Sequence, residues 1–299
     1  MHELRLKLEE VQKNIVNNMQ QFSIPVDLKD ISVSIDRIFE GLNIQETIIQ
    51  YSRLSAFDNI EKIKNQLEEE HKKFIFLSLG NSMVMNQEGR FINSLPPLDL
   101  DDFENNSELL ENHMIRFASE QRNLNAIPLK IAYKYFEKFD TFEEEDLNFL
   151  VDGNPIVPVG RNTIIKEGLY LGLTGKLYAA MHILLPQTEH LIRNLVRMCG
   201  DTITYLKDDD TEEYKPLSQL LKSSKLYECY DKNIIFTFKS FLDSPYGENL
   251  RNLNAHGVLE PSNNGDLKAM YFLSLFIQLI ARYSLKTLPI LESLNMKKQ

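Results

Sequence analysis

The chain has no tryptophan, only two cysteines, and just twelve glycines and eleven prolines in 299 residues. Each shortage removes a class of protein. Cys199 and Cys229 are too few for a disulfide framework and lack the paired spacing of a zinc site, so a reducing cytoplasm is the simplest home. Sparse Gly and Pro argue against a turn-rich β architecture and for helices. The longest apolar run, Ala269 to Ala281, is about a dozen residues, contains Gln278, and falls short of the ~20 residues that cross a bilayer. It reads as a buried core helix. Met1 to Glu10 alternates charge with Leu and has no apolar centre, so no secretory signal and no membrane partner are expected. With 43% hydrophobic and 25% charged residues, neither a disordered nor a fibrous chain is indicated.

Excess positive charge is also missing, since the formal net charge is −10. Nucleic-acid affinity comes largely from neutralising phosphates, so this balance alone argues against it. The distribution changes that reading. Residues 1–150 hold 16 Lys+Arg against 27 Asp+Glu, whereas residues 151–299 hold 17 against 16. The acidity belongs to the front half, and the back half can carry a local basic groove.

Apolar residues recur at helical intervals over most of the chain. Leu4 to Phe22, Ile44 to Leu54 and Asn59 to His71 show the pattern, the last ending in the charged run Glu68 to Lys73. Phe74 to Leu79 and Met83 to Ile92, split by Asn86-Gln87-Glu88-Gly89, predict a small β-hairpin. Pro96-Pro97 and Asp99 to Glu104 read as a loop, and Glu108 to Phe139 as helix interrupted at Pro128. Asp152-Gly153-Asn154-Pro155, with Pro158 and Gly160, marks the expected boundary between a mostly helical, acidic N-terminal domain (1–150) and a helical C-terminal domain (151–299). Beyond it, Ile164 to Leu173 and Leu177 to Met198 are helical, and Pro186 predicts a kink or a new start in the second. Asp208-Asp209-Asp210 with Glu212-Glu213 reads as a solvated acidic loop rather than a metal site. Short helices follow at Pro216 to Leu221 and Asn233 to Leu242, and the last element runs from Asp266 to about Leu288, where Pro289 ends or bends it.

The chemistry is concentrated in Leu250-Arg251-Asn252-Leu253-Asn254-Ala255-His256-Gly257. Arginine offers a planar fork that matches a phosphate, and histidine, with an ordinary pKa of about 6.5, takes and returns a proton near neutrality. RNA can be cleaved without metal or cofactor by its own 2′-hydroxyl. That route needs a base, an acid, and donors for the charge growing on the phosphoryl oxygens. Arg251 fits the last role and His256 one of the first two, and Asn252 and Asn254 can orient the imidazole or donate to phosphate. One imidazole does not serve as base and acid at once, which points to a homodimer placing two motifs across one cleft. Residues five apart on an α-helix lie about 140° from one another, so Arg251 and His256 need the helix to end or distort before they can share a cleft. Gly257 suits such an end, and a helix C-terminus favours a protonated imidazole. Upstream, Glu189 and Arg193 have the spacing of an intrahelical ion pair. Glu189 can instead reach Arg251 and fix its fork, and His190 can serve as a second acid or base. The bland alternative for Arg251 is a helix-end pair with a carboxylate such as Glu248. His113 and His182 read as partly buried, hydrogen-bonded residues.

On these residues the chain resembles the HEPN superfamily, whose nuclease members carry Arg-x4-6-His with a polar residue after the Arg, matched here by Arg251, Asn252 and His256. It is most similar to a poorly characterised branch with an Arg-Asn-x-x-Ala-His-Gly signature preceded by Pro-x-x-Glu-His. Arg251 to Gly257 and Pro186-Gln187-Thr188-Glu189-His190 match these, both within residues 160–299, and a weaker likeness reaches Gly89-Arg90. The resemblance implies an all-helical bundle, a dimer with a composite site and metal-independent endoribonuclease activity. It also implies a toxin–antitoxin or antiviral defence setting, with an antitoxin or regulatory protein as a further partner. Some toxin members carry a Tyr shortly after the motif His. Here Gly257-Val258-Leu259-Glu260 follows, so regulation through that Tyr is not implied. Many members have lost catalysis, and the rival expectation is a non-catalytic module that binds a protein or a nucleotide, with the acidic front half as its partner surface. An immunity-like component that does no harm when expressed alone is a third.

Overall fold

The computed structural model describes residues 2–17, 27–74, 80–85, 91–98, 106–259 and 263–297. They are mainly helical. The front of the chain forms α1 (His2–Asn17), α2 (Lys29–Phe39), α3 (Ile44–Ser52) and α4 (Ile60–Lys73), then a small antiparallel hairpin of β1 (Ser82–Met85) and β2 (Phe91–Leu95). Next come α5 (Ser107–Asn125), α6 (Ile127–Tyr133), α7 (Asn148–Val151), α8 (Asn162–Leu173) and α9 (Leu177–Met198). A second hairpin, β3 (Thr204–Leu206) with β4 (Glu212–Tyr214), precedes α10 (Leu217–Leu220), α11 (Ser224–Cys229) and α12 (Lys232–Phe238). The chain closes with α13 (Leu250–Ala255), α14 (Asn263–Tyr283) and α15 (Leu288–Met296).

The apolar run seen in the sequence becomes the axis of the core. In α14, Tyr271, Phe272, Leu273, Leu275, Phe276, Ile277, Leu279 and Ile280 are all buried. A helix apolar on every side must be enclosed on every side, and α14 packs against α3, α5, α6 and α9. Two polar residues within this apolar stretch, Ser274 and Gln278, repair a helix end. Ser274 and Gln278 donate to the Ser52 carbonyl, and Gln278 also reaches that of Ser55 at 3.2 Å, so carbonyls left unpaired past the end of α3 are satisfied inside the core. No described helix is long and apolar enough to cross a membrane.

Several expectations are revised. The core does not divide at the boundary drawn at residues 150 and 151. One buried cluster runs from Ile35 and Ile48 through Leu150 and Ile165 to Phe276 and Leu294. Asn154, in the expected linker, is buried and donates to the carbonyls of Leu150 and Ile280. Pro186 does not start a new helix, and α9 is assigned as helix through it to Met198. Pro186 and His182 both lie on the exposed side, so the carbonyl deprived of its intrahelical partner faces water. Pro289 opens α15 rather than ending α14, in the first turn where a missing N–H costs nothing. The acidic segment Asp208–Asp210 is the turn of the β3–β4 hairpin, with Asp210 in the left-handed region (φ 61). The front hairpin pairs Ser82–Met85 with Phe91–Leu95; of the strand expected at 74–79, Phe74 instead caps α4 and the rest lies outside the described residues, as does the turn expected at 86–89. On α1, Leu4, Leu8 and Val11 of the expected apolar stripe are exposed.

Candidate functional site

Helix α13 is short, and it is held in place by a charge cluster in the residues just before it. Arg122 of α5 is only 2% exposed and grips Glu248 in a fork, Nε to Oε1 at 2.9 Å and Nη2 to Oε2 at 2.6 Å. The same guanidinium donates to Ser240 Oγ at 2.6 Å, pairs with Asp58, and stacks over the Phe241 ring at 5.1 Å. Burial alone pulls an arginine toward neutrality, and the carboxylates of Glu248 and Asp58 overcome that, so Arg122 stays charged. Burial also raises the pKa of Asp58, against the pull of Arg122. Ser240 lies in a stretch of π-helix, Lys239–Asp243, that continues α12. Gly247 crosses this stretch so closely that a Cβ there would sit 1.9 Å from the Ser240 carbonyl oxygen. After Glu248, Asn249 adopts left-handed backbone (φ 54), a conformation asparagine tolerates, and the chain turns into α13.

Three residues after Glu248, Arg251 turns to a different carboxylate. Its Nε donates to Glu189 Oε2 at 2.9 Å, across 62 residues of sequence, while Glu189 Oε1 accepts from Arg193 Nη2 at 2.9 Å. Glu189 therefore joins α13 to α9 between two guanidiniums. Its side chain is 15% exposed and that of Arg251 34%, so the fork of Arg251 remains open to water. Asn252 steadies it: Oδ1 accepts from Arg251 Nη1 at 3.1 Å, and Nδ2 donates to Asn249 Oδ1 at 2.6 Å. The alternative pairing of Arg251 with Glu248 is not formed, because Glu248 belongs to Arg122.

The end of α13 follows the sequence reading in one respect and departs from it in another. Gly257 is left-handed (φ 67), its N–H donates to the Asn254 carbonyl and the Val258 N–H to that of Leu253, the paired closure of a Schellman motif. His256, however, keeps right-handed backbone (φ −88, ψ −1). The helix ends one residue too late to swing His256 back, so its side chain leaves the axis about 140° round from Arg251. The expected convergence of the two within one chain is not produced by a helix break. His256 is exposed and makes no side-chain hydrogen bond among the described residues. Asn254 is half-buried, and its Oδ1 is shielded from solvent with no hydrogen-bond partner among the described residues.

The surroundings add positive charge that composition concealed. His190, half-buried beside Glu189, has its pKa lowered first by burial and then by Arg161, Arg193 and Arg197, with Glu189 opposing them. Arg161, Arg193 and Arg197 thus act on His190, and Arg251 meets its neighbour Glu189. Asp243 is not singled out by any motif in the sequence. It is half-buried at the end of the π-helical stretch, and burial raises its pKa, with Arg251 opposing and Glu189 reinforcing the shift. The only hint in the sequence was its position before Ser244-Pro245. Arg251, Asn252 and Glu189 are therefore brought together, with His190 adjacent to Glu189 on the same helix, while His256, the C-cap of α13, shares no hydrogen bond with them. No family model, curated protein or solved structure matches this chain.

Proposed function

We propose that the α13 face is a metal-independent RNA-cleaving site completed by a second copy of the chain. One observation carries this reading: two sequence motifs, Pro186–His190 and Arg251–Gly257, meet in the Glu189–Arg251 ion pair, whose guanidinium is one-third exposed, and the imidazole of His256 is exposed at the end of α13. Arg251 and His256 diverge on their own helix, so a phosphodiester that touches both takes the arginine of one protomer and the histidine of its partner. A symmetric pair then supplies two imidazoles. One removes the 2′-hydroxyl proton as that oxygen attacks the adjacent phosphorus; the other gives a proton to the departing 5′-oxygen. The guanidinium of Arg251, aimed by Glu189 and Asn252, stabilises the phosphoryl charge. The products are a 2′,3′-cyclic phosphate and a 5′-hydroxyl, and no metal or cofactor takes part. The arginines about α9 provide the local basic surface that a chain of net charge −10 needs for this substrate.

The test is cleavage of RNA in excess chelator. Arg251→Ala and His256→Ala should each lose activity while melting normally, and equal activity in His256→Ala ends the reading. After subunit exchange with an equal amount of His256→Ala, wild type should keep roughly a quarter of the activity of the same total amount of wild type, because only a quarter of the pairs retain both imidazoles. Retention of half the activity places the site within one chain. A cytoplasmic toxin or antiphage role predicts growth arrest on expression of the wild type and none with Arg251→Ala. The rival reading, a non-catalytic module binding a protein or nucleotide, is favoured by one feature: Glu189 already balances the charge of Arg251. It predicts a pure protein inactive on every RNA class that binds its partner regardless of Arg251.

A further inference from the structure

A line of contacts leads away from Arg251 to a surface aromatic ring. Arg193, whose Nη2 holds Glu189, also donates from that nitrogen to the Lys215 carbonyl at 3.1 Å and covers the Tyr214 ring, its Cζ 5.1 Å from the centroid. Tyr214 closes β4 opposite Thr204, at the root of the hairpin, and is 64% exposed. A guanidinium therefore fixes the ring from beneath and leaves most of it in water. The other hairpin tyrosine is engaged differently: Tyr205 lies on the opposite face and donates its hydroxyl to Glu213 at 2.6 Å. The acidic turn Asp208–Asp210 is at the far end of the hairpin, and at the root Arg193 of α9 reaches the Lys215 carbonyl. One carboxylate also lies near the root, where Glu212 Oε2 accepts from Thr204 Oγ1, opposite Tyr214, at 3.0 Å.

We propose that Tyr214 is a stacking platform for a base of single-stranded RNA whose backbone lies on Arg251. This rests on the reading of α13 as an RNA site and adds a subsite that none of the motif residues supplies. Every base has a π-face, so the platform is tolerant of sequence, and the cation beneath the ring strengthens the stack. The tyrosine hydroxyl is not required.

The test measures binding of a fluorescently labelled single-stranded RNA oligonucleotide to the full-length His256→Ala protein, which holds the substrate uncut. Adding Tyr214→Leu, which still covers Arg193 with apolar volume, should weaken binding about 10-fold, within the range of base–aromatic stacking. Tyr214→Phe should stay within about twofold of its parent, as stacking needs only the ring. An oligonucleotide with an abasic residue at the stacked position should bind the parent and the Leu variant alike. If Tyr214→Leu binds as tightly as the parent, or if Phe loses as much as Leu, the platform is wrong and the cleavage site at α13 stands. If the parent binds no RNA at all, both fall.

Discussion

Two arginine–carboxylate clusters flank the start of α13, built from the same chemistry and put to opposite uses. Around Arg122 all is enclosed: Glu248, Asp58 and Ser240 occupy the guanidinium, and the ring of Phe241 covers it. Around Arg251 only Nε and one Nη are bound among the described residues, and a third of the side chain meets water. Their carboxylate and arginine, Glu248 and Arg251, are three residues apart. A left-handed Asn249 between them sends one inward and the other out. Burial, not residue type, decides which cluster is scaffold and which is surface chemistry. A sealed pair is costly to break because its partner charges stay behind, whereas an open one is rescued by solvent.

The largest effect should follow from cutting the sealed cluster. Arg122→Met strands Glu248 and Asp58 without their cation and should destabilise the fold by about 3–5 kcal/mol in chemical denaturation. Replacing both carboxylates by apolar residues in the same background should recover much of it. A loss under about 1 kcal/mol would mean that the cluster does not seat α13. Next in size is the open cluster. Arg251→Ala should cost only about 1 kcal/mol in stability, since water solvates the released Glu189. It should nevertheless lower RNA cleavage by roughly 10²- to 10³-fold, the usual effect of removing one donor to a developing oxyanion. A large stability loss with cleavage unchanged would reverse the comparison. Smaller again is Gly257→Ala. The added Cβ meets nothing within 4 Å, so only left-handed strain is felt, about 1–2 kcal/mol on melting, and Gly257→Asn should cost less.

What could be read in the sequence follows the same division. The long helices were legible because apolar period reports burial, and α3, α4, α8 and α9 fall close to where it places them. The end of α13 was legible from Gly257, and the reach of Glu189 to Arg251 from charge complementarity, because both depend on local chemistry. The role of Arg122 was not. A single arginine inside a helical run looks solvated until the fold brings Asp58 and Glu248 to it from 64 and 126 residues away. The hairpin of Tyr205 and Tyr214 was read as an acidic loop, since it is held by surface pairs such as Thr204–Glu212 and Lys207–Glu213 rather than by apolar alternation. The Pro/Gly-rich stretch at 152–160 marks a turn. Without the contact from Asn154 to Ile280, it is indistinguishable from a domain linker.

The smallest effect separates the two kinds of environment by pH. His113 is buried in α5, with Nε2 against the Pro96 carbonyl at 2.8 Å. Burial lowers its pKa, the Pro96 bond opposes the shift, and His71, whose ring is 5.9 Å away, adds to it. The pKa of His190 is also lowered, by burial and then by the three arginines. In both cases the unfolded chain takes up a proton near pH 6.5 while the folded one does not. Stability is therefore full above that value and declines as pH falls through it toward the lowered pKa of the fold. The melting temperature should drop between pH 7 and 5.5, and His113→Gln or His190→Gln should each flatten that drop. Salt distinguishes them. The arginines act on a half-exposed imidazole through screened charge, so high ionic strength should shrink the difference made by His190→Gln and leave that made by His113→Gln nearly unchanged. Equal salt sensitivity at the two positions would show that the α9 arginines do not set the potential at the site, and the basic surface proposed for RNA would lose its support.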